Sequence, residues 1–276
     1  MSIEINEMHA GYGKKPVLKD IDLTIAEGRI CALLGHNGSG KTTLMNCINA
    51  ILKPTRGRVK VMGKEVSKLD RVHIAQLISV VPQSNYSVFP FPVLDMILMG
   101  SAARLKAWSS PGKEERNRAY QAMEEVGISD LANVQYSELS GGQQQMVMLC
   151  RALYQDTPLM LLDEPNSHLD FCNQHRMMEL MKEVVKERGV TALVTLHDPN
   201  LALYYCDEII MLKDGRVVEH GPSLTVMTDA NLRRALGDNI SIEDTLVGLQ
   251  VVLPRNLCNC RQNMPNFQKE GARNAV

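Results

Sequence analysis

The chain has 276 residues, with 30 Lys+Arg against 31 Asp+Glu and 45% hydrophobic residues. That length holds one large domain or two small ones with a full core, and the balanced charge excludes a basic surface built for nucleic acid or an anionic membrane. No apolar run is long enough to span a bilayer and Met1-Ser2-Ile3-Glu4-Ile5-Asn6 alternates like a strand rather than a signal peptide, so any membrane role is expected to come through a partner.

Residues 3–34 read as strands. Ile3, Ile5 and Met8 alternate, Val17 to Ile25 alternates again, and Glu27-Gly28 turns the chain into Ile30-Cys31-Ala32-Leu33-Leu34. Tyr12 sits in a Gly-Tyr-Gly turn, where an aromatic either packs the turn or stacks on a flat ring. Gly35-His36-Asn37-Gly38-Ser39-Gly40-Lys41-Thr42-Thr43 then reads G-x-x-x-x-G-K-[ST], a phosphate-binding loop between a strand and a helix. Its glycines let backbone N–H groups curl around a phosphate chain, and the helix adds its positive end. Lys41 would reach the β- and γ-phosphates and the Thr42 hydroxyl would bind Mg²⁺. Alone, the loop predicts a nucleotide and leaves its purpose open.

Pro54-Thr55-Arg56-Gly57 is expected to break the chain before a strand at residues 58–62. A short strand at Ile78 to Val81 ends in Pro82-Gln83; Gln83 is either a strand cap or a residue of a site at the edge where α/β sites collect. Phe89-Pro90-Phe91-Pro92 predicts a stiff link. Helical patterning from Val93 to about Asp156, including a charged helix from Lys113 to Val126, predicts a helical insertion over residues 88–157. Inside it, Leu139-Ser140-Gly141-Gly142-Gln143 precedes a helix expected from Gln144 to Tyr154. This is either an anion-binding helix start or an N-cap followed by flexible glycines.

Leu159-Met160-Leu161-Leu162 is fully apolar, as a central parallel strand is, and ends in Asp163-Glu164. Two acids there either pair with Lys or Arg or carry chemistry, Asp163 on a metal-bound water and Glu164 polarising a second water. Asn166 to Asp170 leads into a helix running to about Arg188. The strand from Val190 to Leu196 ends at His197, which is either structural or shares an edge with Gln83, Asp163 and the loop. Ile209 to Lys213 and Arg216 to Glu219 flank an Asp214-Gly215 hairpin turn. Two short helices reach Leu236, Ile240 to Leu253 has room for more strands, and disorder is expected from Pro254. The seven cysteines form no CxxC pair and predict free thiols in a reducing compartment; Cys258 and Cys260 read as solvated tail thiols.

The loop, the glutamine, Leu-Ser-Gly-Gly-Gln, the apolar run ending Asp-Glu, Ser167-His168-Leu169-Asp170 and the strand-end His occur in an order that resembles the ATP-binding subunit of the ABC transporter family, over residues 3 to about 236. The resemblance implies an α/β fold: a P-loop NTPase core of the RecA-like kind, with an N-terminal antiparallel β-subdomain and an inserted α-helical subdomain. Residues 1–236 would form the ATPase domain and 237–276 a partly disordered extension. The implied cofactors are ATP and Mg²⁺. Tyr12 matches the aromatic that stacks on adenine, and Gly35, His36, Asn37, Gly38, Ser39, Gly40, Lys41, Thr42 and Thr43 match the phosphate loop. Gln83, Thr42 and Asp163 match the residues around Mg²⁺, with Gln83 also touching the attacking water and relaying the site to the transmembrane partner; Glu164 matches the general base and His197 the γ-phosphate switch. Ser140, Gly141, Gly142 and Gln143 match the signature that clasps the γ-phosphate of an opposite subunit, and Asp170 the loop that crosses between subunits.

The implied assembly is a head-to-tail dimer of this chain, bound peripherally to polytopic permease subunits on the cytoplasmic face of a membrane, with an extracytoplasmic substrate-binding protein acting indirectly and no nucleic acid. Phe89-Pro90-Phe91-Pro92-Val93 and the segment Ser167 to Phe171 look like importers of the iron–siderophore, haem and cobalamin class, relatives of which move molybdate or tungstate. The alternative is a soluble ABC ATPase of an assembly system such as iron–sulfur cluster biogenesis. His36 stands where the family usually has proline and Asn166 where it usually has threonine; neither change removes a ligand.

Overall fold

Ile30-Cys31-Ala32-Leu33-Leu34 has no polar alternation, and in the computed structural model it is a strand buried on both faces. The structure describes residues 1–83, 90–105, 109–167, 169–245 and 248–255. Phe89, Trp108, His168, Cys258 and Cys260 lie outside the described residues, as does the expected disorder beyond residue 255.

The elements in chain order are β1 (Ile3–Tyr12), β2 (Lys15–Ile25), β3 (Ile30–Leu34), α1 (Lys41–Ile48), β4 (Arg56–Val61), β5 (Lys64–Glu65), α2 (Arg71–Leu77), β6 (Ile78–Val81), α3 (Val93–Leu98), α4 (Lys113–Val126), α5 (Gly141–Gln155), β7 (Leu159–Leu162), α6 (Phe171–Arg188), β8 (Thr191–Thr195), α7 (Pro199–Tyr205), β9 (Glu208–Lys213), β10 (Arg216–Pro222), α8 (Ser223–Val226), α9 (Asp229–Leu236), β11 (Ile240–Asp244) and β12 (Gln250–Pro254). A six-stranded sheet runs β10-β9-β3-β8-β7-β6; its strands are parallel except β10. A four-stranded antiparallel sheet runs β2-β1-β4-β5.

The period of two along the central strands divides the core. Ile30, Ala32 and Leu34 pack into one apolar cluster with α3, α4 and α5. Cys31 and Leu33 face the other cluster, with α1 and the four-stranded sheet. The parallel strands therefore need apolar residues on both faces, which is why they read as unbroken runs.

Three local readings are corrected. The break expected at Gly57 is part of β4, which begins at Arg56. Gly57 has φ +78°, and a Cβ there would stand 2.4 Å from the Asn6 and Glu7 carbonyl oxygens. It sits opposite a register shift of β1 between Asn6 and His9, so the glycine serves a bulge rather than ending the strand. Helix α2 was not anticipated: of its seven residues only Ile74 is buried, so no apolar period marks it, and its signal is the N-cap Asp70, which accepts from His73 N–H at 2.8 Å. Helix α5 starts at Gly141, three residues before the expected Gln144, because Ser140 and Gln143 form a capping box.

The terminal hairpin β11–β12 rests on α7. The Asn200 side chain accepts from Val252 N–H at 2.8 Å and donates to Val252 C=O at 3.1 Å, and Tyr204 donates to Gln250 C=O at 2.6 Å. Pro254 closes β12 in pairing with Ile240, so the ordered chain passes the point where disorder was expected.

Candidate active site

Four neighbouring strands of the central sheet deliver their carboxyl ends to one edge, where ligands bind in open α/β sheets. The end of β3 opens into residues 35–40. Ser39 N–H donates to His36 C=O at 3.1 Å, and Gly38 and Gly40 take φ of +82° and +110°. Lys41, only 6% exposed, starts α1 and folds back, its Nζ donating to Gly35 C=O at 2.7 Å and His36 C=O at 3.5 Å. Burial lowers its pKa, while the negative charges of Glu164 and Asp163 oppose that fall. Ser39 Oγ is buried without a protein partner. His36 is exposed; its carbonyl accepts from Lys41 and Ser39, and its ring Nδ1 lies 3.3 Å from the Asn37 C=O of the same loop.

The loop is braced from a distance. Gly215, in the turn between β9 and β10, donates to Ser39 C=O at 3.0 Å, and its own C=O accepts from Lys19 N–H of β2 at 2.8 Å. A Cβ on Gly215 would lie 1.7 Å from Val17 C=O. Sequence reading found only a hairpin turn at this position.

The ends of β6, β7 and β8 supply the polar groups. Asp163 N–H donates to Val81 C=O at 2.8 Å, which sets the two strand ends level. Glu164 has φ +49°, a left-handed conformation uncommon for a residue with a Cβ. Its N–H donates to Thr195 Oγ1 at 2.6 Å, and the Thr195 hydroxyl donates to Asp163 Oδ1 at 2.8 Å. The carboxylate of Glu164 is held at both oxygens: Gln83 Nε2 donates to Oε2, and His197 Nε2 lies 2.6 Å from Oε1. The side-chain partners of Glu164 are thus His197 and Gln83, not a Lys or Arg.

Thr195 was missed as a site residue. Its signal was a hydroxyl at the last position of the strand, two positions before His197, but like Thr191 at the other end it reads as a β-former.

Lys41, Thr42, Thr43, Asn37, Gly38, Gly40 and Glu164 line a cleft of about 470 Å³, which Lys15, Pro16 and Val17 of β2 also line. Tyr12 is not in that lining; it is 53% exposed at the end of β1, with its hydroxyl accepting from Asn46 Nδ2 at 3.3 Å.

The signature residues are elsewhere. Ser140, Gly141, Gly142 and Gln143 line a second cleft of about 450 Å³ together with Asp170, and it shares no lining residue with the first. Ser140 Oγ accepts from Gln143 N–H at 3.3 Å, and Ser140 N–H donates to Gln143 Oε1 at 3.0 Å. The Ser140 hydroxyl is acting as an acceptor here, so its proton remains for an outside anion. Asp170 caps α6, accepting from Asn173 N–H at 2.9 Å.

A family model described as ABC transporter matches residues 18–167, more than half of the chain. The chain belongs to the ABC transporter family. This ABC protein is 36% identical over 233 residues to an iron chelatin transport ATP-binding protein of Helicobacter pylori, covering 84% of this chain and 91% of that one. It is 40% identical over 242 residues to the zinc transport system ATP-binding protein TroB of Treponema pallidum, covering 87% and 88%. Among solved structures it resembles a metal-chelate type ABC transporter in an inward-facing conformation, with TM-score 0.81, 26% identity and coverage of 92% and 97%. A dimeric ABC cassette bound to ADP and Pi matches with TM-score 0.72, 30% identity and coverage of 80% and 98%. The ABC chain is thus an ATP-binding ATP hydrolase with the P-loop fold. Among its described residues no helix is long and apolar enough to cross a membrane.

Proposed function

We propose that this ABC ATPase powers an importer of a metal ion or metal chelate, as a homodimer bound peripherally to polytopic permease subunits on the cytoplasmic face of a membrane. The cargo class rests on the transport names of its relatives, which speak of iron chelatin and zinc; those names do not favour an assembly ATPase. On this reading residues 1–236 are the ATPase domain, with 88–157 as its helical insertion, and 237–276 are an extension.

The observation that carries the mechanism is the convergence of Lys41, Gln83, Asp163, Glu164 and His197 on one sheet edge, while Ser140 and Asp170 line a separate cleft. Lys41 exchanges the Gly35 and His36 carbonyls for the β- and γ-phosphates, and the backbone of residues 35–40 wraps them. The buried, unpartnered Ser39 Oγ in the wall of the loop is a further donor for that cradle. Thr42, Gln83 and Asp163 offer a hydroxyl, an amide oxygen and a carboxylate, the all-oxygen set that suits Mg²⁺. Bound there, Mg²⁺ would neutralise charge on the phosphates. Glu164 accepts the proton of the attacking water, and His197 and Gln83 fix the direction of its carboxylate. Tyr12 stacks on the base beyond the cleft lining. Ser140, Gly142 and Asp170 come from a second copy, since their own cleft lies apart from the loop.

A mixing experiment tests the composite site. Lys41→Ala and Ser140→Arg chains should each be inactive alone. Mixed, they form dimers with one doubly damaged and one intact site, and ATPase activity should return in part. No recovery on mixing, with dimers present, sinks the head-to-tail arrangement.

A further inference from the structure

The edge of the central sheet away from the nucleotide carries a second group of chemistry-bearing side chains. Cys31 is the second residue of β3, and it is in register with Glu208, the first residue of β9. His220 of β10 pairs with Ile210, two residues along β9 from Glu208, so the period of two puts Glu208 and His220 on the same face. One donor atom from each of Cys31, Glu208 and His220 falls within 4.8 Å of the other two.

We propose that Cys31, Glu208 and His220 form a binding site for Zn²⁺ or a cation of similar softness, distinct from the nucleotide site. The donor set is the first argument. A thiolate, an imidazole and a carboxylate are the three ligand types Zn²⁺ takes, whereas Mg²⁺ and Ca²⁺ take oxygen. Spacing is the second. His220 Nε2 and Glu208 Oε2 are 3.2 Å apart. Two ligand arms of about 2.0–2.1 Å at a tetrahedral angle place their donors about 3.3 Å apart, so this pair spans one edge of such a site with little adjustment. Access is the third. The Cys31 side chain is fully buried, but those of Glu208 and His220 are 19% and 25% exposed, so the site opens to water on their side. A water fills the fourth position from there.

Charge balance is favourable. On binding, the Cys31 thiol gives its proton to solvent and the sulfur lone pair forms the metal bond. Thiolate, carboxylate and neutral imidazole then sum with Zn²⁺ to zero, which a half-buried position requires. The bonded metal would tie β3 to β9 and β10. Those are the strands whose other ends carry the phosphate loop and its Gly215 brace.

The test uses the full chain, treated with chelator and free of nucleotide, with Cys258→Ser and Cys260→Ser so that tail thiols cannot contribute. Co²⁺ is titrated in as a spectroscopic probe. The expected result is a thiolate-to-cobalt charge-transfer band saturating at one equivalent and removed by Zn²⁺. It should be absent from Cys31→Ser and at least tenfold weaker in affinity in His220→Ala. No band, or a band that survives Cys31→Ser, overturns the site. Should Cys31→Ser fail to give the circular dichroism of the parent, His220→Ala decides, and an unchanged titration in that variant overturns it.

Discussion

Thr195 Oγ1 stands 2.8 Å from Asp163 Oδ1, and the same oxygen receives the Glu164 N–H at 2.6 Å. One hydroxyl therefore fixes both the carboxylate proposed for the cation and the backbone of the proposed base. It also stabilises a positive φ that Glu164 would otherwise avoid. Thr195→Val keeps the shape and removes both bonds. Partners of this kind typically contribute about 10–100-fold to activity, so kcat should fall by that factor and recover in Thr195→Ser. Leaving the Glu164 N–H unpaired should cost about 1–3 kcal/mol in urea unfolding. Full kcat in the valine variant would show that Gln83 and His197 position Glu164 unaided.

Glu164→Gln should bind ATP and form a stable dimer yet turn over very slowly. Loss of a general base costs about 10²–10⁴-fold, read as phosphate release in single turnover. The amide keeps one oxygen for a hydrogen bond, so folding should be little changed. Wild-type turnover would remove Glu164 from the role of base.

His36→Pro places the residue usual in the family at a position whose carbonyl serves Lys41 and Ser39 and whose ring makes one exposed contact, 3.3 Å to Asn37 C=O. ATP affinity should change by less than about tenfold, or 1.4 kcal/mol, in equilibrium dialysis. A larger change would mean that the ring or the N–H matters to the loop.

The described thiols divide by burial. Cys31, Cys47, Cys150 and Cys206 are buried and Cys172 is exposed. Burial pushes the Cys47 and Cys150 thiols up to about 12 and raises those of Cys31 and Cys206 as well. At pH 8 in the metal-free native protein, iodoacetamide should therefore modify Cys172 and leave these four intact until urea unfolds the chain. Peptide mass spectrometry reads the pattern, and rapid native labelling of Cys47 would show that its packing opens.

The central strands and the order of the motifs were legible because each depends on a local pattern. Leu159 to Leu162 must be apolar on both faces, and Asp163-Glu164 at its end then stands out. Bonds between residues far apart in the chain were not legible. Gly57 reads as a breaker unless one knows that the Asn6 and Glu7 carbonyls press on it. Thr195 reads as a β-former unless one knows that Asp163 lies beside it. Helix α2 buries too little to show a period. The signature stretch supported two readings, an N-cap and an anion site; the capping box bears out the first, and the second waits on a partner copy.

The tip of a surface hairpin is ordinarily where a chain accepts tags, insertions and new termini. The Asp214-Gly215 tip is an exception, because its backbone closes bonds to both Ser39 and Lys19. A peptide inserted there should abolish ATP binding even though it lies far from the loop in sequence.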